Sequence, residues 1–330
     1  MKSLVVALGA SALVVGAAGA ASSPLRIAAA IPTGKHPAGV VLAGGSLWVA
    51  NDVDNSVSRI DPATNTVTAT IKLHGNNFPD PSFVTAGGGA LWAVAPTTGT
   101  VSRLDLRTGR VTATSAVPGL ALGIALVGNY VWVTSFDTYR CSNNRCFSEL
   151  TRFDSQSGKV KGIYKADSAT GMDAGFGSLW IVNHRSWSVT RFDPRTGTIV
   201  RVIPIRIGHE GTREGPERLV IGLGSVWVSQ PSQDLVTRID PRTDAIAARI
   251  RFPRNASPVQ LAVGAGSLWA VGPKQIFRID PKTSRIVESA AIGRHPGSDY
   301  HGLRSIAVAN GAVWVTDGDA NTVDRIEVGS

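Results

Sequence analysis

Residues 45–71 read GSLWVANDVDNSVSRIDPATNTVTATI, and close variants of this stretch recur along the chain. Its apolar runs predict three short β-strands, and the third alternates threonines with apolar residues. Asp61-Pro62-Ala63-Thr64-Asn65 separates the last two strands and has the composition of a tight turn. Aspartate can bond its own backbone, proline restricts φ, and asparagine tolerates a left-handed conformation. The stretch therefore predicts a small antiparallel unit.

Two markers of this unit recur in register. Tryptophan returns at intervals of 40 to 48 residues, close to the period of about 40–50 residues that is typical of four-stranded propeller blades. An Arg-x-Asp motif follows each tryptophan, with glutamate in place of aspartate in the last copy. The tryptophans are Trp48, Trp92, Trp132, Trp180, Trp227, Trp269 and Trp314. The motifs begin at Arg59, Arg103, Arg152, Arg191, Arg238, Arg278 and Arg325.

These repeats predict an all-β chain, a single seven-bladed β-propeller of four-stranded blades over residues 25–330. The final repeat stops at Ser330, before the turn and fourth strand that the other repeats have. Leu25–Ile31 reads as a strand without a neighbour to pair with. We expect this N-terminal strand to complete the last blade and close the ring, which leaves no open sheet edge. The expected blades span about residues 38–72, 82–116, 121–165, 170–206, 217–252, 258–292, and 303–328 with 25–31.

The repeated markers are expected to be structural, because a catalytic group is needed once and these residues occur in every repeat. The tryptophans should pack between neighbouring blades, with each indole N–H bonded. The Arg-x-Asp pairs should tie one blade to the next. Trp187 lies beyond the second strand of the fourth repeat and breaks the pattern. We expect it to be exposed.

The N-terminus has the make-up of a secretory signal peptide over residues 1–20, followed by a short linker at 21–24. A retained membrane anchor is the alternative, but glycine, serine and alanine dilute the apolar run. We expect a secreted or extracytoplasmic protein, with no transmembrane segment in the mature chain. The formal charge of +9 comes from arginines spread along the repeats. That spacing does not favour nucleic acid as a partner, and we expect a monomer.

Cys141 and Cys146 are the only cysteines, and both lie in an insertion of the third repeat. In an exported protein an isolated close pair indicates a disulfide that pins a loop, since a metal site would need more ligands. We therefore predict a disulfide between them.

Function is expected among the variable connections, which should share one face of the propeller. All six histidines of the chain fall in such connections, but none has a specific metal-binding spacing. Histidines on one face could bind a ligand or a metal, or act as acid and base. The candidate ligand-binding residues are His36, His184, Trp187, His209, Glu210, Glu214, His295, Tyr300, His301 and Asp317.

The repeat, with Gly-Ser-Leu-Trp-Val-Ala-Asn at residues 45–51 and Val-Ser-Arg-Ile-Asp-Pro-Ala-Thr at 57–64, resembles the YVTN-type propellers and the streptogramin (virginiamycin B) lyase-like family. The resemblance covers residues 25–330. It implies a seven-bladed propeller and, for true lyases, Mg²⁺-dependent elimination at the ester of a cyclic depsipeptide, with a histidine base and glutamate ligands. Their repeats carry glutamate three residues after the tryptophan. The residues here are Asn51, Ala95, Ser135, Asn183, Gln230, Gly272 and Asp317.

Two functional hypotheses follow. The first is a non-enzymatic exported propeller that binds a peptide, glycan or protein on its variable face. The alternative is a metal-dependent lyase or hydrolase of the streptogramin lyase type, which alone would require Mg²⁺. The first is favoured because it needs no convergent set of acid, base and metal ligands. On that hypothesis no catalytic residue is assigned.

Overall fold

A computed structural model describes residues 25–73, 80–142, 145–207, 215–292 and 303–328, without side chains for 137–147. The predicted signal peptide and linker lie outside these ranges. Within the described part of the chain, no helix is long and apolar enough to cross a membrane.

The described strands form seven four-stranded antiparallel sheets, as predicted. The strand order follows the chain in six of them, and in the seventh the N-terminal strand lies beside the last strand. Blade 1 consists of β2 (Pro37–Ala43), β3 (Ser46–Asn51), β4 (Ser56–Asp61) and β5 (Thr66–Lys72). Blade 2 consists of β6 (Phe83–Gly87), β7 (Ala90–Ala95), β8 (Thr100–Asp105) and β9 (Val111–Ala116). Blade 3 consists of β10 (Leu120–Val127), β11 (Tyr130–Ser142), β12 (Arg145–Asp154) and β13 (Val160–Asp167). Blade 4 consists of β14 (Ala169–Gly175), β15 (Ser178–Asn183), β16 (Ser188–Asp193) and β17 (Thr198–Pro204).

The remaining blades have the same plan. Blade 5 consists of β18 (Leu219–Gly222), β19 (Ser225–Gln230), β20 (Leu235–Asp240) and β21 (Ala245–Arg251), with a 3-10 turn at Pro231–Gln233. Blade 6 consists of β22 (Gln260–Gly264), β23 (Ser267–Val271), β24 (Gln275–Asp280) and β25 (Arg285–Ala291). Blade 7 consists of β26 (Leu303–Ala309), β27 (Ala312–Asp317), β28 (Thr322–Glu327) and β1 (Arg26–Pro32).

The N-terminal strand closes the ring, as expected from the incomplete last repeat. β1 pairs antiparallel with β28, with Ile31 opposite Val323 and Arg26 opposite Glu327. Ile31 is buried in the same apolar cluster as Trp314 of β27, the strand on the far side of β28. The two ends of the chain therefore share one sheet, and β28 has no open edge.

The repeated tryptophans form the core between blades, which confirms their predicted role. All seven side chains are almost completely buried. In five of them the indole N–H donates to the carbonyl oxygen of the residue five positions earlier, at 3.1–3.2 Å. The arginine of the motif stacks on the indole; the Arg238 Cζ, for example, lies 5.1 Å from the Trp227 ring centre. This packing satisfies the polar edge of these five indoles, and the motif arginine covers the face of six of the seven tryptophans. The indole N–H groups of Trp92 and Trp132 are buried without a hydrogen-bond partner among the described residues, so the expectation that each N–H is bonded holds for five of the seven.

The expectation for the Arg-x-Asp motif is half right. Three of the arginines, Arg103, Arg191 and Arg238, tie one blade to the next in the described residues. Arg191 Nη1, for example, donates to Asp244 Oδ1 of blade 5 at 3.0 Å. The aspartates do not. Asp105 Oδ1 instead accepts the N–H of Thr108 in its own turn at 2.7 Å. The aspartate is the last residue of the third strand and the first of the turn. Because the unpaired N–H groups of that turn are the nearest donors, its carboxylate bonds to them and not to another blade.

The antiparallel order places the connections on two opposite faces. Turns between first and second strands, and between third and fourth strands, share one face. Connections between second and third strands, such as 52–55, share the other face with the connections between blades. We call the latter the variable face. First strands begin at this face and line the axis of the ring.

Candidate functional site

A central cavity of about 990 Å³ opens among the first strands of all seven blades. Its lining includes the residue nine positions before each repeated tryptophan, so the repeat itself builds a ring of seven positions, which we call the channel ring. These positions hold Gly39, Phe83, Gly123, Gly171, Arg218, Gln260 and Ser305. Residues of the variable face, including Ser232 and Asn255, also line the cavity. The cavity therefore extends to that face.

Arg218 is the only charged residue of the channel ring, and its side chain crosses the channel. Nη1 donates to the carbonyl oxygens of Thr170 in blade 4 at 3.0 Å and Leu122 in blade 3 at 3.1 Å. Cζ lies 4.6 Å from the centre of the Phe83 ring in blade 2. One side chain of blade 5 thus contacts three other blades.

The glycines of the channel ring make room for this arrangement. A Cβ at Gly171 would lie 2.7 Å from the Glu217 carbonyl oxygen and 3.6 Å from Arg218 Cδ. A Cβ at Gly123 would lie 3.1 Å from the Thr170 carbonyl oxygen that accepts from Arg218. Side chains at these two positions would displace the strands that hold the guanidinium.

Arg218 carries its charge in a poorly hydrated place. Burial lowers the pKa of its guanidinium below the usual value for arginine, while the Glu217 carboxylate acts in the opposite direction. Arginine remains cationic under such a shift. Its Nε is buried and has no hydrogen-bond partner among the described residues. The channel therefore holds a fixed cation whose hydrogen-bonding capacity is incompletely used.

A second arginine lines the cavity from blade 7. Arg304 Nη1 lies 2.9 Å from His36 Nε2, and Arg304 Nη2 lies 3.7 Å from Asp52 Oδ2. His36 Nδ1 lies 3.1 Å from the same carboxylate oxygen. A tautomer with Nδ1–H donating to Asp52 leaves Nε2 free to accept from Arg304. Burial lowers the pKa of Arg304, whereas the nearby Asp52 raises it. His36 therefore positions the Arg304 side chain at the junction of blades 7 and 1.

His184 similarly holds the segment that leads into Arg218. Its Nδ1 lies 3.1 Å from the Pro216 carbonyl oxygen, and the Gly215 N–H donates to Nε2 at 3.3 Å. Both contacts are satisfied by the neutral Nδ1–H tautomer. A Cβ at Gly215 would lie 1.8 Å from the His184 carbonyl oxygen, so this approach requires glycine. His184 therefore positions the connection between blades 4 and 5.

Trp187 is not exposed, and that expectation is wrong. Its side chain is 5% exposed and its φ is 51°. The Trp187 carbonyl oxygen accepts the Ile205 N–H at 2.9 Å, which folds the loop back onto blade 4. Burial of a large apolar ring favours this packing. Trp187 belongs to the core of the blade.

Asp317 is also buried, with 1% exposure. Its Oδ1 accepts the backbone N–H groups of Asp319 and Ala320 at 3.1 and 3.0 Å. These bonds shape the connection between β27 and β28. Asp317 therefore has a structural role, because it fixes the backbone of this connection on the variable face.

The other candidate residues lie outside the described residues: His209, Glu210, Glu214, His295, Tyr300 and His301, and also the loop histidine His74. In the part of the chain that is described, no group of three or more His, Cys, Asp or Glu side chains could hold a metal ion. The backbone ladder places Cys141 opposite Cys146 in β11 and β12. Their disulfide stays a prediction.

Sequence reasoning missed both channel arginines, although a signal was present. Alignment of the repeats on their tryptophans puts Arg218 at a position that holds glycine in three blades, and puts Glu217 and Arg304 at the position before it. Most repeats have an apolar or small residue at these positions of the innermost strand. Charged residues there therefore indicate that the channel has a polar function.

Comparisons with known proteins agree with the fold. Residues 9–129 match a family described as a repeat of unknown function (DUF6923). The structure is similar to the crystal structure of the computationally designed Ika8 protein, with a TM-score of 0.60 and 11% identity over 91% of this chain and 98% of that chain. At this identity the similarity shows the fold alone. No curated protein sequence matches the chain. Together these findings support a propeller repeat family, without distinguishing the YVTN-type or lyase-like groups.

Proposed function

We propose that this protein is an exported, non-enzymatic binding protein that takes part of a peptide, glycan or protein ligand into its central channel from the variable face. One observation carries the proposal: the cavity of about 990 Å³ is crossed by a cation fixed by two blades. Concave sites of this size with a few fixed polar groups are typical of ligand binding. Scaffolding alone would not require such a group in the channel.

The support for the channel is geometric. Positioning residues hold both arginines: His184 contacts the backbone just before Arg218, and His36 contacts Arg304 directly. Preorganised groups lose little conformational entropy when a ligand binds. The candidate histidines described by the structure therefore contribute by fixing cationic side chains.

A channel-blocking variant tests this proposal. Gln260→Trp places a bulky ring at the channel ring, and Arg195→Met alters an arginine that is 86% exposed on the opposite face. Both proteins and the parent are screened against a displayed random peptide library and a glycan array. We expect binders of the parent to be retained by Arg195→Met and lost by Gln260→Trp. Binders that Gln260→Trp retains would place recognition elsewhere.

The lyase alternative is tested directly by Mg²⁺-dependent ring opening of a streptogramin B. We expect no turnover, because no repeat carries glutamate three residues after its tryptophan. Turnover that is abolished by His209→Ala or His295→Ala would establish the enzyme. Export is tested by N-terminal sequencing of the mature protein, which should begin close to Ala21.

A further inference from the structure

We infer that the channel recognises a carboxylate, with Arg218 as its anchor and an apolar wall for the body of the ligand. This inference rests on the proposed function and names the ligand class for the same site. It begins from the contacts that the Arg218 guanidinium makes across the channel.

Two arginines of the repeated motif have carboxylate partners, one in the next blade and one in its own blade. Arg191 pairs with Asp244 at 3.0 Å, and Arg278 lies 3.8 Å from Glu288. Arg218 makes no ion pair with any described carboxylate; its two hydrogen bonds go to neutral carbonyl groups and both use Nη1. Arg218 is half-buried and the neighbouring Glu217 carboxylate acts on it only through space, so its charge is incompletely compensated among the described residues.

The unused donors of Arg218 lie along one edge of the guanidinium. A guanidinium has five N–H donors, and the edge formed by Nε and Nη2 matches the two oxygens of a carboxylate. Nε has no partner within the described residues. Because Nη1 is held by Leu122 and Thr170 and the Phe83 ring covers one face, this edge has a fixed direction. A carboxylate that reaches this edge, where Nε is buried, would make a bidentate contact.

The charge of the cavity suits a monoanion. Its described lining contains three cationic side chains and two carboxylates, a formal excess of one positive charge (3 − 2 = 1) before the Asp52 carboxylate, 3.7 Å from Arg304 Nη2, is counted. Asp234, one of the carboxylates, is engaged by the backbone N–H groups of Asn255 and Ser257, both at 2.8 Å. A phosphate monoester carries about 1.5 to 2 negative charges at neutral pH and would exceed this balance. A carboxylate matches it.

Apolar residues form the part of the wall beside Arg218, and polar residues such as Gln260 and Ser305 form other parts. The described lining includes Phe83, Leu122, Ile124, Met172 and Leu219. These side chains come from blades 2 to 5, the same blades that Arg218 contacts or belongs to. A ligand whose carboxylate reaches Arg218 would place its neighbouring atoms against them. A peptide ending in an apolar residue with a free carboxylate, or an acidic sugar, presents this chemistry.

The test uses matched pairs of probes that differ only in charge, measured by calorimetry and ligand-observed NMR. The peptide probes are N-acetylated tetrapeptides ending in leucine or phenylalanine, as free acids and as amides. The sugar probes are the methyl glycoside of galacturonic acid, which has one carboxylate, and its methyl ester, and inorganic phosphate is a third probe. We expect an acid to bind at least about tenfold more tightly than its neutral partner, as for a charged hydrogen bond. The pair that shows the difference identifies the source of the carboxylate.

The protein variants separate this inference from the proposed function. Arg218→Met should abolish the acid preference, Arg218→Lys should retain part of it without the planar fork, and Arg195→Met should leave it unchanged. Equal binding of acid and neutral probes, or tighter binding of phosphate, would overturn the carboxylate inference. If acid and neutral probes bind the parent equally well and Gln260→Trp loses that binding, the channel is still the binding site, and only the ligand class is wrong. Should Arg218→Met fail to fold by circular dichroism, the acid and neutral pairs on the parent decide the matter.

Discussion

The Arg218 guanidinium carbon lies 4.6 Å from the centre of the Phe83 ring, although these residues belong to blades 5 and 2. The channel is therefore narrow enough here for one arginine to reach across it, and glycines at positions 123 and 171 allow that reach. A cation over an aromatic face in a poorly hydrated place is worth about 0.5–2 kcal/mol. This contact fixes the cation while leaving its charge without an anionic partner among the described residues.

The Arg218–Phe83 contact predicts energetic coupling across the channel. Phe83→Leu should lower the free energy of unfolding, measured in urea, by more in the parent than in the Arg218→Met background. We expect a coupling of about 0.5–2 kcal/mol from a double-mutant cycle. Additive effects of the two substitutions would show that the contact contributes nothing.

Trp187 should behave as a core residue. Because its side chain is 5% exposed, Trp187→Ala should lower the free energy of unfolding by about 3–5 kcal/mol through loss of packing. The exposed Phe176 serves as the control, since it is 47% exposed and its replacement by alanine should cost much less. A small effect of Trp187→Ala on stability, with a large effect on ligand binding, would contradict this assignment.

The ties between blades should depend on the partner of each arginine. Arg191→Met removes hydrogen bonds to Asp244 and Pro241 in the next blade, and we expect a loss of about 1.5–3 kcal/mol in unfolding free energy. Arg195→Met removes an exposed pair with Asp193 at 3.6 Å and should cost less than about 0.5 kcal/mol. Equal costs from denaturant titrations would refute the distinction.

Acidification should destabilise the propeller through its turn aspartates. Hydrogen bonds from backbone and side-chain groups of the turn lower the pKa of these carboxyls below 3.8. The group comprises Asp61, Asp105, Asp154, Asp193, Asp240 and Asp280. A lowered folded-state pKa means that the ionised form stabilises the fold above pH 3.8, and that this contribution is lost as the pH falls through the folded value.

Urea titrations between neutral pH and pH 2 measure this effect. Asp105→Asn should reduce the slope of stability against pH in the acid range. Burial raises the pKa of Asp173, so its contribution has the opposite sign: its protonation favours the folded state. Asp173→Asn should therefore steepen the acid loss. A flat stability profile below pH 4 would contradict the prediction for the turns.

Ring closure can be tested by truncation. A chain that begins at residue 25 keeps β1, and a chain that begins at residue 33 lacks it and exposes the edge of β28. Leu25 and Ile31 are both buried, and loss of two such side chains alone removes about 3–6 kcal/mol of burial. We expect the shorter chain to melt earlier and to aggregate, by calorimetry and light scattering. Identical melting temperatures would show that the N-terminal strand is dispensable.

Local periodicity determined the architecture of this protein. Each repeat carries its own strand pattern, turn residues and tryptophan, and each has an apolar surface that it can bury only against a neighbour. Seven copies and one displaced strand therefore predict the number of blades and the closure at β1. The structural role of Trp48 and its equivalents followed from the same repetition. Nothing in this reasoning required knowledge of contacts between distant blades.

Tertiary structure decided the chemistry of the channel. Arg218 and Phe83 are 135 positions apart (218 − 83 = 135), and only closure of the ring brings the guanidinium and the aromatic ring together. The turn aspartates likewise bond locally because short-range partners are met first, whereas Arg191 must extend to the next blade. Trp187 is buried because its loop folds back onto Ile205, a contact that exists only in the assembled sheet. Repetition along the chain specifies the blades, but the side chains that meet at their common axis are set by the geometry of the closed ring.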